Sequence, residues 1–544
     1  MKYKHLPKLL SNSQSSVQVK RPAVLPESTI CMSFRTESKG PSLIQSKSCR
    51  FNLVDSRYLG VACLALLSLI FSQDTAHAQA LRAQISVISL APARVKVEGR
   101  LDQGAQRAWS FLNSYAGLMG LAERIENLKL AERDGTSVPV RKLATGEYEA
   151  AKEASEFSYE VKLDAPLNAN DAAHVSWLAA TRGFLMLGDL LPQTYNGKAL
   201  KSGSVRFILP MRWTIAANES RDADGAYLLA DAQSAVFFVG QDLRERRQRA
   251  GSLQLSFVSA GEWAFTDEDA ANLAAEIIKD YTETFGGSPL SQATFFLAPF
   301  PGPAGADRWS AETRGGTITL LSGRSASKLA ALAQLSVPLT HELFHFWIPN
   351  GLSLTGDYDW FYEGFTTYQA MRAGMRLNYL TFQDYLNALA RAFDTYSAVQ
   401  GRDELSLTEA SRRRWSSPAQ LVYQKAMLVA FLYDLQLRMQ TSGKSSLDDV
   451  YRELFRRHHQ PEKKMDGNTA VIAALGAPRG MEAFAPKYIE RPVAIDLVQA
   501  LAPFGLRVEK GARTHISVAD SLNRSQRDLL RKFGYNDKVR SAVR

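Results

Sequence analysis

Ser336-Val337-Pro338-Leu339-Thr340-His341-Glu342-Leu343-Phe344-His345-Phe346-Trp347 is the stretch that decides the fold, with Trp360-Phe361-Tyr362-Glu363-Gly364-Phe365 a little further on. On an α-helix, positions i and i+4 share a face, so His341 and His345 project side by side. Two imidazoles at that spacing can hold one zinc ion, and Glu342 sits one step round the helix, placed to move a proton. A catalytic zinc usually takes a third protein ligand and keeps one position open. Glu363 opens a second helical pattern and is the candidate for that ligand. The plain alternative is a pair of histidines on a buried helix face, satisfied by hydrogen bonds.

Around this stretch lie 544 residues, more than one hydrophobic core usually serves, so two or three domains are expected. A hydrophobic fraction of 45% and a charged fraction of 22% are those of a globular protein and exclude bulk disorder. Residues 1–78 differ. The first 50 are rich in Ser, Lys and Arg, residues 59–71 form an apolar run, and Ala76-His77-Ala78 then precede Gln79. A basic lead, a short apolar stretch and a small-x-small site read as a secretory signal cleaved after Ala78. The lead is long for a signal, which a later start such as Met32 would explain. The rival is an uncleaved anchor, although the run is short of the ~20 apolar residues of a membrane span. Cys31, Cys49 and Cys63 all precede residue 79, so the mature chain has no thiol, which suits an oxidising compartment.

Residues 1–78 also carry ten Lys and Arg against four Asp and Glu, so cleavage lowers the net charge from +10 to +4. An excess that mild gives no argument for a nucleic-acid partner. Arg412-Arg413-Arg414, the densest basic run, reads as a solvated face or loop.

Along the chain, residues 79–265 alternate with period two, as in Val205-Arg-Phe-Ile-Leu and Leu253-Gln-Leu-Ser-Phe-Val, and are expected to form an antiparallel, β-sandwich-like domain. Thr266-Asp267-Glu268-Asp269 is a helix start, and Gly286-Gly287 a stop. Residues 294–298 and 317–321 read as strands, with 299–316 a long Pro- and Gly-rich loop between them. Pro338 is tolerable only near the first turn of the motif helix, which Pro349-Asn350-Gly351 ends. Residues 380–399, 420–439 and 446–458 have helical spacing. His458 and His459 offer a weaker second metal pair. Residues 266–479 are thus a mainly helical second domain, and 480–544 a small mixed appendage.

The motifs resemble those of the gluzincin metallopeptidases, and among them the glycyl aminopeptidase family, whose members often carry a PDZ domain. The resemblance rests on His341-Glu-Leu-Phe-His-Phe-Trp347, Trp360-Phe-Tyr-Glu363-Gly364-Phe, Tyr423-Gln-Lys425-Ala-Met-Leu-Val, Asp434-Leu-Gln-Leu-Arg438 and residues 441–450, so it covers about 290–510. It implies a multidomain α+β architecture with a thermolysin-like zinc peptidase domain behind the N-terminal β-domain. It also implies zinc on His341, His345 and Glu363, general-base catalysis by Glu342, an oxyanion held by Tyr423, and a peptide or unfolded protein as substrate. Asp357 and Asp359 are candidates for orienting a histidine or for capping the next helix.

Two departures from the family pattern stand out. Relatives carry a glutamate, on the strand edging the cleft, that helps to hold the substrate's free amino group. The segment aligned with it here is Gly315-Gly316-Thr317-Ile318-Thr319, with Ile318 at the glutamate position, and a hydrophobic side chain cannot neutralise an ammonium. Gly315-Gly316 reads equally well as a plain turn. The stretch after residue 510 is also too short for a complete PDZ domain. The expected function is an exported zinc peptidase, periplasmic or secreted, with aminopeptidase activity open. The alternatives are a peptide-binding protein on a peptidase scaffold and a membrane-anchored assembly factor that keeps the 59–71 run.

Overall fold

In the computed structural model, strands Arg182–Met186 and Val236–Gly240 pair antiparallel inside a four-stranded sheet and are buried on both faces. Successive strand residues point to opposite faces, so each strand serves two cores. Leu185, Phe237 and Val239 pack into a cluster with a seven-stranded sheet on one side. Phe184, Met186, Val236 and Phe238 pack on the other side against Phe296, Ala298 and Leu321 of the next sheet. The described residues are 81–536, except 103, 196–197, 200–201 and 461–462. The leader, the three cysteines and the 59–71 run lie outside them. Among the described residues, no helix is long and apolar enough to cross a membrane.

The seven-stranded sheet is built largely from alternating strands such as Ala93–Leu101 and Glu156–Lys162, whose inward Val95, Val97, Tyr159 and Val161 are buried. Leu81–Leu90 pairs parallel with Gly203–Ile208 and antiparallel with Ala93–Leu101, so the sheet is mixed and not purely antiparallel as the sequence suggested.

The next sheet has five strands: β1 (Arg244–Ala250), β2 (Leu253–Ser259), β3 (Gln292–Pro299), β4 (Trp309–Arg314) and β5 (Thr317–Ser322), in the order β1-β2-β3-β5-β4. β2, β3 and β5 run parallel, while β4 closes one edge antiparallel to β5. The expected loop over 299–316 therefore contains a strand. Helix α1 (Asp267–Phe285) starts at the reciprocal cap formed by Thr266 and Asp269 and stops at Gly286, whose φ is +79°.

Helix α2 (Lys328–Phe344) carries the histidine motif. Pro338 lies well inside it and not in its first turn, contrary to the sequence reading. The hydroxyls of Ser336 and Thr340 donate to the carbonyls of Ala333, Ser336 and Val337, adding bonds around the interruption. Tyr281 Oη donates to Thr340 O at 2.6 Å and ties α1 to α2 one residue before His341.

Downstream come α3 (Thr366–Arg376), α4 (Phe382–Ser397), α5 (Leu407–Arg412), α6 (Ala426–Gln440) and α7 (Leu447–His458). Asp434 is buried in α6 and accepts from Tyr368 Oη, Arg438 Nε and Leu447 N, which gives the Asp434-to-Arg438 motif a structural role. Ile489, Leu497, Leu506, Ile516, Leu529 and Phe533 belong to the same core as α1–α7, so the residues beyond 480 pack into the helical region.

Candidate active site

Local structure brings the two halves of the motif together. His341 is in the last turn of α2, and His345 follows as its αR cap residue. Their ring centroids are 4.8 Å apart and nearly perpendicular. Glu363 lies in a π-helical turn, Trp360–Phe365, leading into α3. Trp360 is fully buried and anchors this turn, its backbone N donating to Ser411 Oγ and its indole Nε1 to Asn468 Oδ1, each at 2.8 Å. Glu363 Oε2 then stands 3.4 Å from His341 Nε2 and 3.8 Å from His345 Nε2.

A second π-helical turn, Leu421–Lys425, leads into α6 and carries Tyr423. The two turns touch at Gly364. A Cβ there would stand 2.3 Å from Ala426 Cβ and 2.7 Å from Val422 O, so only glycine permits the approach. Single π turns inside α-helices recur at functional sites. Here they bring Glu363 and Tyr423 towards one point.

His341, His345 and Glu363 each offer one ligand atom, and these atoms lie within 4.8 Å of one another. The remaining ring nitrogens are engaged elsewhere. His345 Nδ1 is 2.9 Å from Ile348 O, and His341 Nδ1 is 3.5 Å from Thr367 Oγ1. Both Nε2 atoms are thus left to face Glu363. Two imidazoles and a carboxylate, largely buried and oriented from behind, fit a zinc ion. Among the described residues this is the one such cluster of histidine and acid groups. His459 instead stacks on Phe455 with Nδ1 at Gly351 O.

Burial works against the charge on Glu363, but the His341 hydrogen bond and the nearby His345 and Arg414 outweigh it and hold its pKa at about 2. Burial likewise opposes a charge on His341, yet Glu363 and Glu342 raise its pKa above the ordinary histidine value. At both groups the neighbouring charges thus outweigh burial.

Glu342 is buried, and its Oε2 accepts a 2.6 Å hydrogen bond from Thr313 Oγ1. Thr313 is on β4, so this edge strand lies against the motif helix. The neighbouring Glu312 engages residues of the N-terminal region. Its Oε1 accepts from Tyr115 Oη at 2.5 Å, and its Oε2 meets His174 Nδ1. Burial raises the Glu312 pKa, but His174 and Arg314 pull it below the ordinary value.

Other sequence-predicted residues lie elsewhere. Gly315 and Gly316 form the two-residue turn of the β4–β5 hairpin, with Gly315 at φ +54°. Thr317 is 2% exposed, and Ile318 is sealed in the core behind β5. The strand at the edge of the sheet is β4, which carries Glu312 and Thr313, whereas Ile318 lies on β5 inside the sheet. Asp359 pairs with Arg414 and with no histidine. Arg414 is not a solvated charge, since its side chain is 20% exposed and it binds Glu363 and Tyr423 at 2.9 Å each. Thr313, Glu312 and Arg414 escaped the sequence reading. The Gly-Gly turn before residue 317 was the one signal for a hairpin.

Residues 353–429 match the family model described as M61 glycyl aminopeptidase, a span that includes Glu363, Arg414 and Tyr423. Among solved structures, an aminopeptidase N family protein from Idiomarina loihiensis superposes with a TM-score of 0.68 at 20% identity, over 79% of each chain. A variant of an M1 zinc metallopeptidase from Deinococcus radiodurans, solved with a Tyr-Ser-Ala substrate, matches at TM-score 0.50 and 14% identity, over 77% of this chain and 95% of that one. No curated protein matches the chain. In fold, and in the matched segment, the chain is similar to gluzincin-type peptidases.

Proposed function

We propose that this chain is an exported, zinc-dependent peptidase that hydrolyses peptide bonds from the amino end of its substrate. The observation that carries the reading is the convergence of His341, His345 and Glu363 on one point, with the Glu342 carboxylate held beside them by Thr313.

His341, His345 and Glu363 would hold the ion. When bound, zinc supplies Lewis acidity and brings the pKa of a water towards ~7. Glu342 accepts the proton of the attacking water and delivers it to the leaving amine. Tyr423 donates its hydroxyl proton to the oxyanion of the tetrahedral intermediate. Glu312, on the sheet-edge strand β4, is the carboxylate that receives a free ammonium in this reading. Tyr115 and His174 already engage its carboxylate, so a substrate amine takes the place of one of these partners. Export is supported by the basic lead, the apolar 59–71 run and the lack of cysteine after residue 63.

The test uses purified residues 79–544 and a peptide set, half with free and half with acetylated amino termini, read by mass spectrometry, with Glu342→Gln alongside. Single residues released from free termini only, and none by Glu342→Gln, are expected. Internal cuts in both halves would make the protein an endopeptidase. No cuts by zinc-loaded protein would favour a peptide-binding scaffold. The amino-terminal residue of the native protein tests export, since Gln79 or its cyclised form means cleavage after Ala78.

A further inference from the structure

We propose that Arg414 is a positioning residue that sets both the third metal ligand and the Tyr423 hydroxyl, an inference that rests on the metallopeptidase reading above. Arg414 follows α5 by two residues. Its Nη2 donates to Glu363 Oε1 and to Tyr423 Oη, each at 2.9 Å. Its Nη1 donates to Asp359 Oδ1 and, at 3.2 Å, to Tyr362 Oη. One planar fork thus joins four side chains from the two π-helical turns and their border.

Each contact has a consequence. Glu363 has two oxygens, and Arg414 holds Oε1 while Oε2 faces the histidine nitrogens. The arginine therefore engages one oxygen and leaves Oε2 as the one that would serve a metal. At Tyr423, the hydroxyl oxygen accepts the arginine N–H, so its own proton points away from Arg414. The hydroxyl remains a donor for a developing oxyanion and is not consumed by the nearby carboxylates. Asp359 takes the other edge of the fork and fixes the plane of the guanidinium. Lysine offers a point charge with no fixed fork and cannot reproduce this geometry.

The experiment takes the mature chain with Arg414→Gln and Arg414→Lys, each alone and combined with Tyr423→Phe. Zinc affinity is read by competition with a chromogenic chelator, kcat and KM on a peptide that the unaltered protein cuts, and folding by thermal melting. Both Arg414 variants should bind zinc about 10- to 100-fold more weakly. With zinc saturating, kcat should still fall with little change in KM. Tyr423→Phe should cost a much smaller factor beside Arg414→Gln than alone, because the hydroxyl is already misplaced. Unchanged zinc affinity in a folded variant overturns the ligand half, and an equal Tyr423→Phe factor in both backgrounds overturns the hydroxyl half. If Arg414→Gln does not fold, Arg414→Lys carries both arms. Full activity of Glu342→Gln would sink the peptidase reading itself, and the zinc arm would still decide the role of Arg414.

Discussion

Thr313 Oγ1 lies 2.6 Å from Glu342 Oε2 and 3.1 Å from the Glu342 carbonyl, so one threonine holds both the carboxylate and the backbone of the proposed general base. Replacing Thr313 by Val keeps the shape and removes the donor. We expect kcat to fall by roughly 10-fold, the order of one lost hydrogen bond to a charged group, with zinc affinity unchanged. A kcat equal to that of the unaltered protein would separate Thr313 from the chemistry.

Glu363 contributes the only carboxylate of the three-ligand cluster. Glu363→Ala should lower zinc affinity by more than about 100-fold, since it removes a ligand and one of the two carboxylates that hold Arg414. Zinc content after dialysis at fixed free metal is the measurement. Retention of one ion per chain would remove Glu363 from the ligand set. Chelation of the unaltered protein should abolish turnover and lower its melting temperature, because a ligand that binds the folded state stabilises it.

Glu312 sits beside Thr313 on β4, the edge strand of the sheet. Glu312→Gln keeps its size but removes its charge and turns one acceptor oxygen into a donor. The preference for free over acetylated amino termini should shrink by about 10- to 100-fold, as expected for one charge-assisted hydrogen bond. The ratio of kcat/KM for paired peptides reads this directly. An unaltered ratio would assign amine recognition to another group.

Glu219 gives a pH-dependent prediction far from any metal ligand in sequence. Its Oε2 is buried without a hydrogen-bond partner, and burial raises its pKa to about 7 from an ordinary 4.5. Between these values the folded chain binds more protons here than the unfolded chain, so stability falls as pH rises. Below pH ~4.5 this group costs nothing, and above pH ~7 its full cost is present. Glu219→Gln should therefore raise the melting temperature at pH 8 and change it little at pH 4.5. Equal gains at both would mean that the effect is not ionisation.

The metal cluster was legible because its signal is local. His341 and His345 are four residues apart on one helix, and Glu363 lies within a short aromatic motif. Strand β4 was hidden because Trp309-Ser-Ala-Glu-Thr-Arg314 is a partly polar edge strand without clean alternation, and its meaning lies in what it touches. Arg414 was hidden for another reason. Its partners Glu363 and Asp359 are 51 and 55 residues away, and a run of three arginines gives no sign that one turns inward. Pro338 was misplaced because residues 328–337 continue the helix backwards over a mild, Ala- and Leu-rich pattern, and the hydroxyls that patch the interruption are visible only in three dimensions.

The strands Arg182–Met186 and Val236–Gly240 give their alternate side chains to the cores on either side. Cutting the chain between the β-rich region and the peptidase-like region would strip Phe184 and Phe238 from against Phe296 and leave an apolar face in water. The two regions should therefore melt in a single transition, and limited proteolysis should not release a free-standing catalytic fragment. A library that recombines the front region with foreign peptidase halves would have to carry these two strands with the back half.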